Sequence, residues 1–321
     1  MGLISIKKPQ NRKNKRLFSS KKSLIFYISL LIIPIIQFII FYIVVNFNSF
    51  FMSFQTYKDG VFYFNDITNP SDFWKNYIRV FTFQQTDNID LWKYFQNSFI
   101  VWGVSIFFGT LFAIFFSFYI YRKRKLAFFF KFLLFLPSVI PSVLLTTLYS
   151  GFLDNFISPL FRQYFGWNFL PVKLIDENSD LSLFLVLLFA TWISFGTQVL
   201  LYSNAMSQIS STVIEASEID GCSPLRQLFS VVIPQIIPTI TTFLVVSIAG
   251  FFTNQAFLYN FFPNGTNRFG TIGYFLYVYS APGGINALDA YPFVSALGLL
   301  CSAIAIPLIF ILRKLLSRWG K

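Results

Sequence analysis

Hydrophobic residues in this chain neither alternate with polar ones nor keep to one narrow helical stripe. They fill six long windows, at about 24–45, 98–121, 126–150, 181–203, 230–253 and 290–312. Each window has the length a bilayer demands, roughly 20 predominantly apolar residues. Lys131 is the one charged residue inside a window, and it lies near an end, where a lysine side chain can reach the surface. Only helices and closed barrels satisfy their backbones in lipid, and continuous rather than alternating apolarity argues against a barrel. The predicted fold is therefore all-α: a polytopic bundle of six transmembrane helices. It has a basic tail at 1–23, a first helix at 24–45, an outer loop at 46–97, a five-helix core at 98–312 and a tail at 313–321. A connecting loop at about 204–229 divides the core. The first window is too long for the core of a secretory signal, which is roughly 7–15 residues, and is read as a retained span.

Composition agrees with this picture. Hydrophobic residues make up 55% of the 321 and charged residues 12%, against about 25% charged in ordinary soluble domains. The net charge of +12 would point to nucleic acid in a soluble protein. Here the basic residues flank spans, so no nucleic-acid partner is expected, and the basic N-terminal tail is read as a solvated segment in contact with membrane lipids. With the N-terminus inside, 18 of the 25 Lys and Arg fall on the inner side, which makes both termini cytoplasmic. Ten of the 13 acidic residues fall outside. The three on the inside are Glu215, Glu218 and Asp220.

Several chemistries are missing. The chain has no histidine, and Cys222 and Cys301 stand far apart, so no metal site, cofactor or catalytic residue is expected. No window holds an Asp, Glu or Arg of the kind that proton-coupled carriers keep at membrane depth. A phosphate-cradling G-x-x-x-x-G-K-[ST] loop is absent as well. If the chain does thermodynamic work, the energy comes from a partner.

The acidic cluster sits in IEASEIDGCSPLRQLFSVVIP, from Ile214 to Pro234. Its pattern predicts a helix, a glycine turn and a second helix. Thr212 is the expected N-cap through a Thr-x-x-Glu capping box with Glu215, with Ser210 and Ser211 as alternatives. Gly221 is the expected left-handed stop, and Ser223-Pro224 the restart. Ile209, Val213 and Ala216 fall on one apolar stripe. Two readings stand side by side: a hairpin that merely connects two spans, or an element that docks into a groove of a cytoplasmic partner.

The spacing of this stretch resembles the signature loop of binding-protein-dependent ABC importer permeases. That signature is Glu-Ala-Ala, three residues, Gly, nine residues, then Ile-x-Leu-Pro. The chain has Glu215-Ala216-Ser217, then Gly221, then Val231-Val232-Ile233-Pro234, departing at Ser217, Val231 and Ile233. The form EASEIDG, with Asp220 before the glycine, is similar to the sugar-importer version. NSFFMSFQTY, FWKNYIRVF, FKFLLFLPSVIPSVLLTTLY (with Pro137 and Pro141) and YPFVSALGLL extend the resemblance over most of the chain. One outer segment departs: where the family often has a Thr-x-Gly-Gly-Pro run, a Pro263-Asn264-Gly265 turn stands, and Gly283-Gly284 come later.

The resemblance implies a permease subunit of a type I (MetI-like) importer in a bacterial plasma membrane. Its partners would be a second homologous permease, two ABC ATPase subunits, an extracellular solute-binding lipoprotein and a sugar substrate. Glu215 to Gly221 would form the ATPase-coupling helix, with Pro234 closing the motif. Polar or aromatic residues within the apolar spans are the candidate pathway contacts: Trp192, Gln198, Asn204, Asn254 and Gln255. Helix-to-helix hydrogen bonding is the other role such residues play. Competing classes are an importer permease for an amino acid or phosphonate, a stand-alone channel or secondary carrier, and a membrane-bound enzyme.

Overall fold

The computed structural model describes residues 21–82, 90–123, 125–167, 171–266, 268–281 and 287–316. The basic tail up to residue 20, Arg124, Gly283-Gly284 and the end beyond residue 316 lie outside the described residues. Met1–Phe51 and Met52–Lys321 form two compact units. Among the described residues five single helices are long and apolar enough to cross a bilayer: Ile25–Met52, Leu91–Tyr121, Ser182–Ser207, Pro224–Gly250 and Ala290–Leu316. In chain order they are the first, second, fourth, fifth and sixth spans.

The third span is not one straight helix. Ala127–Ser138 and Ser142–Tyr164 are bent by 100° from each other. The cause is local: Pro137 sits in a 3-10 turn (Leu136–Ser138), and Pro141 is the N-cap of the next helix. Proline donates no N–H and pushes the residue before it out of helical geometry. The second span also begins earlier than its apolar window. The Asp90 carboxylate accepts from the Trp92 and Lys93 N–H groups, and that cap draws the polar residues ahead of the window into the helix.

The second and fourth spans are the centre of the larger unit. Ser117 donates to the Val199 carbonyl at 2.9 Å, joining them at depth. About one turn earlier on the fourth span, Gly196 lets the backbone of the third span come into contact. A Cβ at Gly196 would fall on the Leu134 carbonyl. Small residues at such crossings are how membrane helices approach closely without a hydrophobic drive between them. Toward the C-terminal end of the second span, Ala113, Phe118, Val199, Met206, Leu228 and Val232 pack into one buried cluster.

The opposite end is capped by two folded loops. In the first, a hairpin pairs Gln55–Lys58 with Val61–Phe64 around Asp59-Gly60, both at positive φ, the geometry of a type I′ turn. The Asn76 side chain donates to the Ser53 and Gln55 carbonyls at 2.9 and 2.8 Å, and the Tyr77 and Ser53 hydroxyls share a 2.8 Å bond. In the second, Asn97 donates to the Arg268 and Gly270 carbonyls, both at 3.0 Å, and Ser98 Oγ accepts from the Ile272 N–H at 2.8 Å. Gly265 has φ +93, so Pro263-Asn264-Gly265 is a turn. The N-terminal end of the second span thus carries the loop that joins the fifth and sixth.

Gly196→Ala should strain the crossing by about 1–3 kcal/mol, the usual cost of overpacking. The check is the thermal unfolding midpoint of the detergent-solubilised chain, which should fall. Gly298→Ala, with nothing within 4 Å of its added carbon, should leave that midpoint unchanged.

Candidate functional site

The acidic stretch folds as a hairpin of two short helices between the fourth and fifth spans. The first runs Ser211–Ile219. Its N-cap is Ser210, not Thr212, and no side chain caps it; the Ser210 and Thr212 hydroxyls bond each other at 2.7 Å. Thr212 lies within the first turn, so the capping box with Glu215 does not form. The extended backbone at Ser210 (ψ 131) starts the helix two residues sooner than that box requires. The other end is a Schellman motif: Cys222 N–H bonds the Ser217 carbonyl at 3.0 Å, and Gly221 N–H the Glu218 carbonyl at 3.1 Å. Gly221 has φ +72, where a Cβ would be strained. Ser223 Oγ then accepts from the Arg226 N–H at 3.4 Å, starting the helix Pro224–Gln227.

The hairpin has an inner and an outer face. Inward, Ile209 and Ile214 pack against the cluster that holds Met206, Leu228 and Val232. Ser217 is buried there; it donates to the Ile214 carbonyl at 2.7 Å and accepts from Gln227 Nε2 at 2.7 Å. Gln227 is itself buried. The serine that stands where the related signature has alanine therefore answers a buried amide. Outward lie Glu215, Ala216, Ile219 and Asp220, with Ile219 87% exposed. The expected stripe of Ile209, Val213 and Ala216 is corrected accordingly. Ile209 precedes the helix and faces the core, whereas the exposed apolar residues of the helix are Val213, Ala216 and Ile219.

The three carboxylates part company. Glu215 and Asp220 are exposed and make no ion pair among the described residues. Glu218 bonds Arg122, at the end of the second span, at 3.1 Å. Pro234 shapes the root of the fifth span. Leu228–Val232 is a π turn in which the Ile233 N–H reaches the Leu228 carbonyl five residues back. An α turn here would point the Ser230 carbonyl at a proline that has no N–H to offer.

A second candidate site lies among the second, fourth and fifth spans, in a cavity of about 360 Å³. It brings together Gln198 and Asn254 from the sequence-predicted set, and adds Ser98, Trp102 and Ser105, Ser194, and Ser247. Gln198 Oε1 is buried without a partner. Asn254 Oδ1 accepts from the Ala256 N–H at 2.8 Å, and the Trp102 indole N–H donates to the Ser247 carbonyl at 3.2 Å. No ionisable side chain lines the cavity among the described residues. Trp192 is elsewhere, in an apolar recess of about 430 Å³ with Phe108 and Phe195. Six residues separate it from Gln198, about 240° around a helix, so the two face different ways. Asn204 is exposed, Gln255 is half-buried, and neither lines these cavities. The added residues carry a faint signal in the sequence: Ser98, Trp102 and Ser105, or Ser194 and Gln198, recur at helical spacing within apolar windows.

Ser217→Ala should leave the buried Gln227 amide with only its long 3.5 Å bond to the Ile214 carbonyl, at a cost of about 1–2 kcal/mol to the hairpin. Hydrogen exchange at the Gly221 and Cys222 amides should quicken by about tenfold. Adding Gln227→Leu should restore protection, since removing both partners strands neither.

With this geometry in hand, comparison with known proteins is specific. A probable ABC transporter permease protein of Mycoplasma pneumoniae (MG188 homolog) is 28% identical over 158 residues, 48% of this chain and 47% of that protein. The maltose/maltodextrin transport system permease protein MalF of Escherichia coli K12 is 24% identical over 205 residues, 62% of this chain and 38% of MalF. The chain thus spans about half, or less, of the length of these curated relatives. Its fold matches a chain in the crystal structure of a bacterial ABC transporter that imports the acidic polysaccharide alginate. The TM-score is 0.71 at 18% identity, covering 94% of this chain and 98% of that one. The model of the binding-protein-dependent transport system inner membrane component matches residues 105–320, well over half of the chain. The chain is a multi-pass membrane protein and belongs to the family of binding-protein-dependent transport system inner membrane components.

Proposed function

We propose that this chain is one membrane subunit of an ATP-driven importer of an uncharged sugar or oligosaccharide. Its 211–227 hairpin is the coupling element, received in a groove of an ATPase subunit. Two such ATPases lie beneath this chain and a second homologous permease. An extracellular binding protein delivers the solute, and both termini lie in the cytoplasm. ATP is hydrolysed on the other chains, and their closure turns the bundle as a rigid body.

The observation that carries this reading is the outer face of the hairpin. Ala216 and the 87% exposed Ile219 stand between two exposed carboxylates, on a helix pinned by buried contacts behind it. An apolar ridge with charged flanks on a short rigid helix is the form that enters a groove. The surrounding charges support it too, because these carboxylates lie on the side where the basic residues gather. Support for the solute comes from the cavity at Gln198 and Asn254. Amides and hydroxyls suit the rim of a sugar ring, aromatic faces suit its apolar face, and an acidic solute would find no cation among the lining side chains.

Glu215→Lys and Gly221→Pro should each weaken co-purification of the ATPase by about tenfold or more, through a reversed charge at the interface and a broken turn. Undiminished binding in both variants would sink the coupling role. Gln198→Leu with Asn254→Leu should lower solute uptake in proteoliposomes by about tenfold, the scale of two lost hydrogen bonds. ATPase co-purification should be unaffected.

A further inference from the structure

One carboxylate of the acidic hairpin, unlike Glu215 and Asp220, is paired within the chain. Glu218 points back across the bundle to Arg122, Nη2 to Oε1 at 3.1 Å. Arg122 is the C-cap of the second span, 21% exposed in its side chain, with its guanidinium 5.8 Å from the centre of the Phe118 ring. Phe118 is buried in the cluster against which the hairpin rests. The cation is therefore held in place from its own helix, and the hairpin supplies the anion.

The second span is an unbroken helix of 31 residues with no proline. One end carries Arg122. Nearer the other end, Ser98, Trp102 and Ser105 wall the polar cavity, and Asn97 holds the Gly270 carbonyl of the outer cap. The hairpin is joined to the fourth and fifth spans by the chain itself, and its two helices are joined to each other by the Ser217–Gln227 bond. Its link to the second span is not covalent. Among the described residues it consists of apolar contacts within the cluster, which set no register, and one ion pair, which does.

We infer that Arg122 and Glu218 are positioning residues for energy coupling: their ion pair makes the second span move with the hairpin, so that displacement at the ATPase reaches the cavity wall and the outer cap. This rests on the coupling role proposed above for the hairpin. The two carboxylate functions are then distinct. Glu215 and Asp220 face the ATPase, and Glu218 faces the chain's own transmission.

The test uses the assembled transporter in proteoliposomes, with solute uptake and ATP hydrolysis measured on the same sample. Arg122→Gln and Glu218→Gln should each bind the ATPase as the parent does and hydrolyse ATP at a comparable rate. Solute moved per ATP should fall about threefold, the scale a half-exposed ion pair supports. The exchanged pair, Arg122→Glu with Glu218→Arg, should recover most of that ratio. A fall caused only by damaged folding would persist in the exchanged pair, and that result would overturn the inference. An unchanged ratio in both single variants would overturn it as well. Failure of the parent chain to bind the ATPase would instead bring down the coupling role, and this inference with it.

Discussion

Inside a bilayer there is no water to take up a stray backbone group, so each N–H and C=O must find its partner within the protein. In this chain the constraint is felt most at prolines. Where Pro137 and Pro141 interrupt the third span, the helix does not kink and continue. It stops, turns by 100° and restarts. Where Pro234 enters the fifth span, the preceding turn widens to π geometry instead. Two different remedies answer one defect, one beside the packing contact at Gly196 and one at the root of the hairpin.

Polar interactions are rationed in the same spirit. At depth there are few, such as Ser117 on the Val199 carbonyl and Trp102 on the Ser247 carbonyl. At the ends they are dense. The loops at one end are held by amide side chains of Asn76 and Asn97, each spanning two carbonyls. The hairpin at the other end is held by a buried amide, Gln227, and an ion pair, Arg122–Glu218. A rigid middle with hydrogen-bonded ends suits a bundle that tilts as a body rather than one that deforms.

Much of this is legible in the sequence, and the reasons are particular. Six apolar windows declare the spans because lipid leaves a composition signal that tertiary packing cannot mask. Gly221 and Ser223-Pro224 mark their turn and restart because each meets a local backbone need. Thr212 misleads because three adjacent hydroxyl residues offer the same cap, and the backbone at Ser210 decides among them. The apolar stripe misleads because Ile209 lies ahead of the helix, outside its periodicity. The cavity is only half visible: Gln198 and Asn254 stand out in apolar surroundings, while Ser98, Ser105 and Ser194 are individually ordinary. They become a site only once three spans are brought together. The Asp59-Gly60 hairpin is readable from its turn residues, yet it hides in a long loop with weak strand periodicity.

The π turn at Leu228–Val232 has a consequence for where the hairpin sits. A π turn stores one residue more than the α path it replaces. Relative to a straight α path, the extra residue offsets the junction with the hairpin by about 1.5 Å along the helix and about 100° around it. Pro234 holds that offset in place at the root of the fifth span.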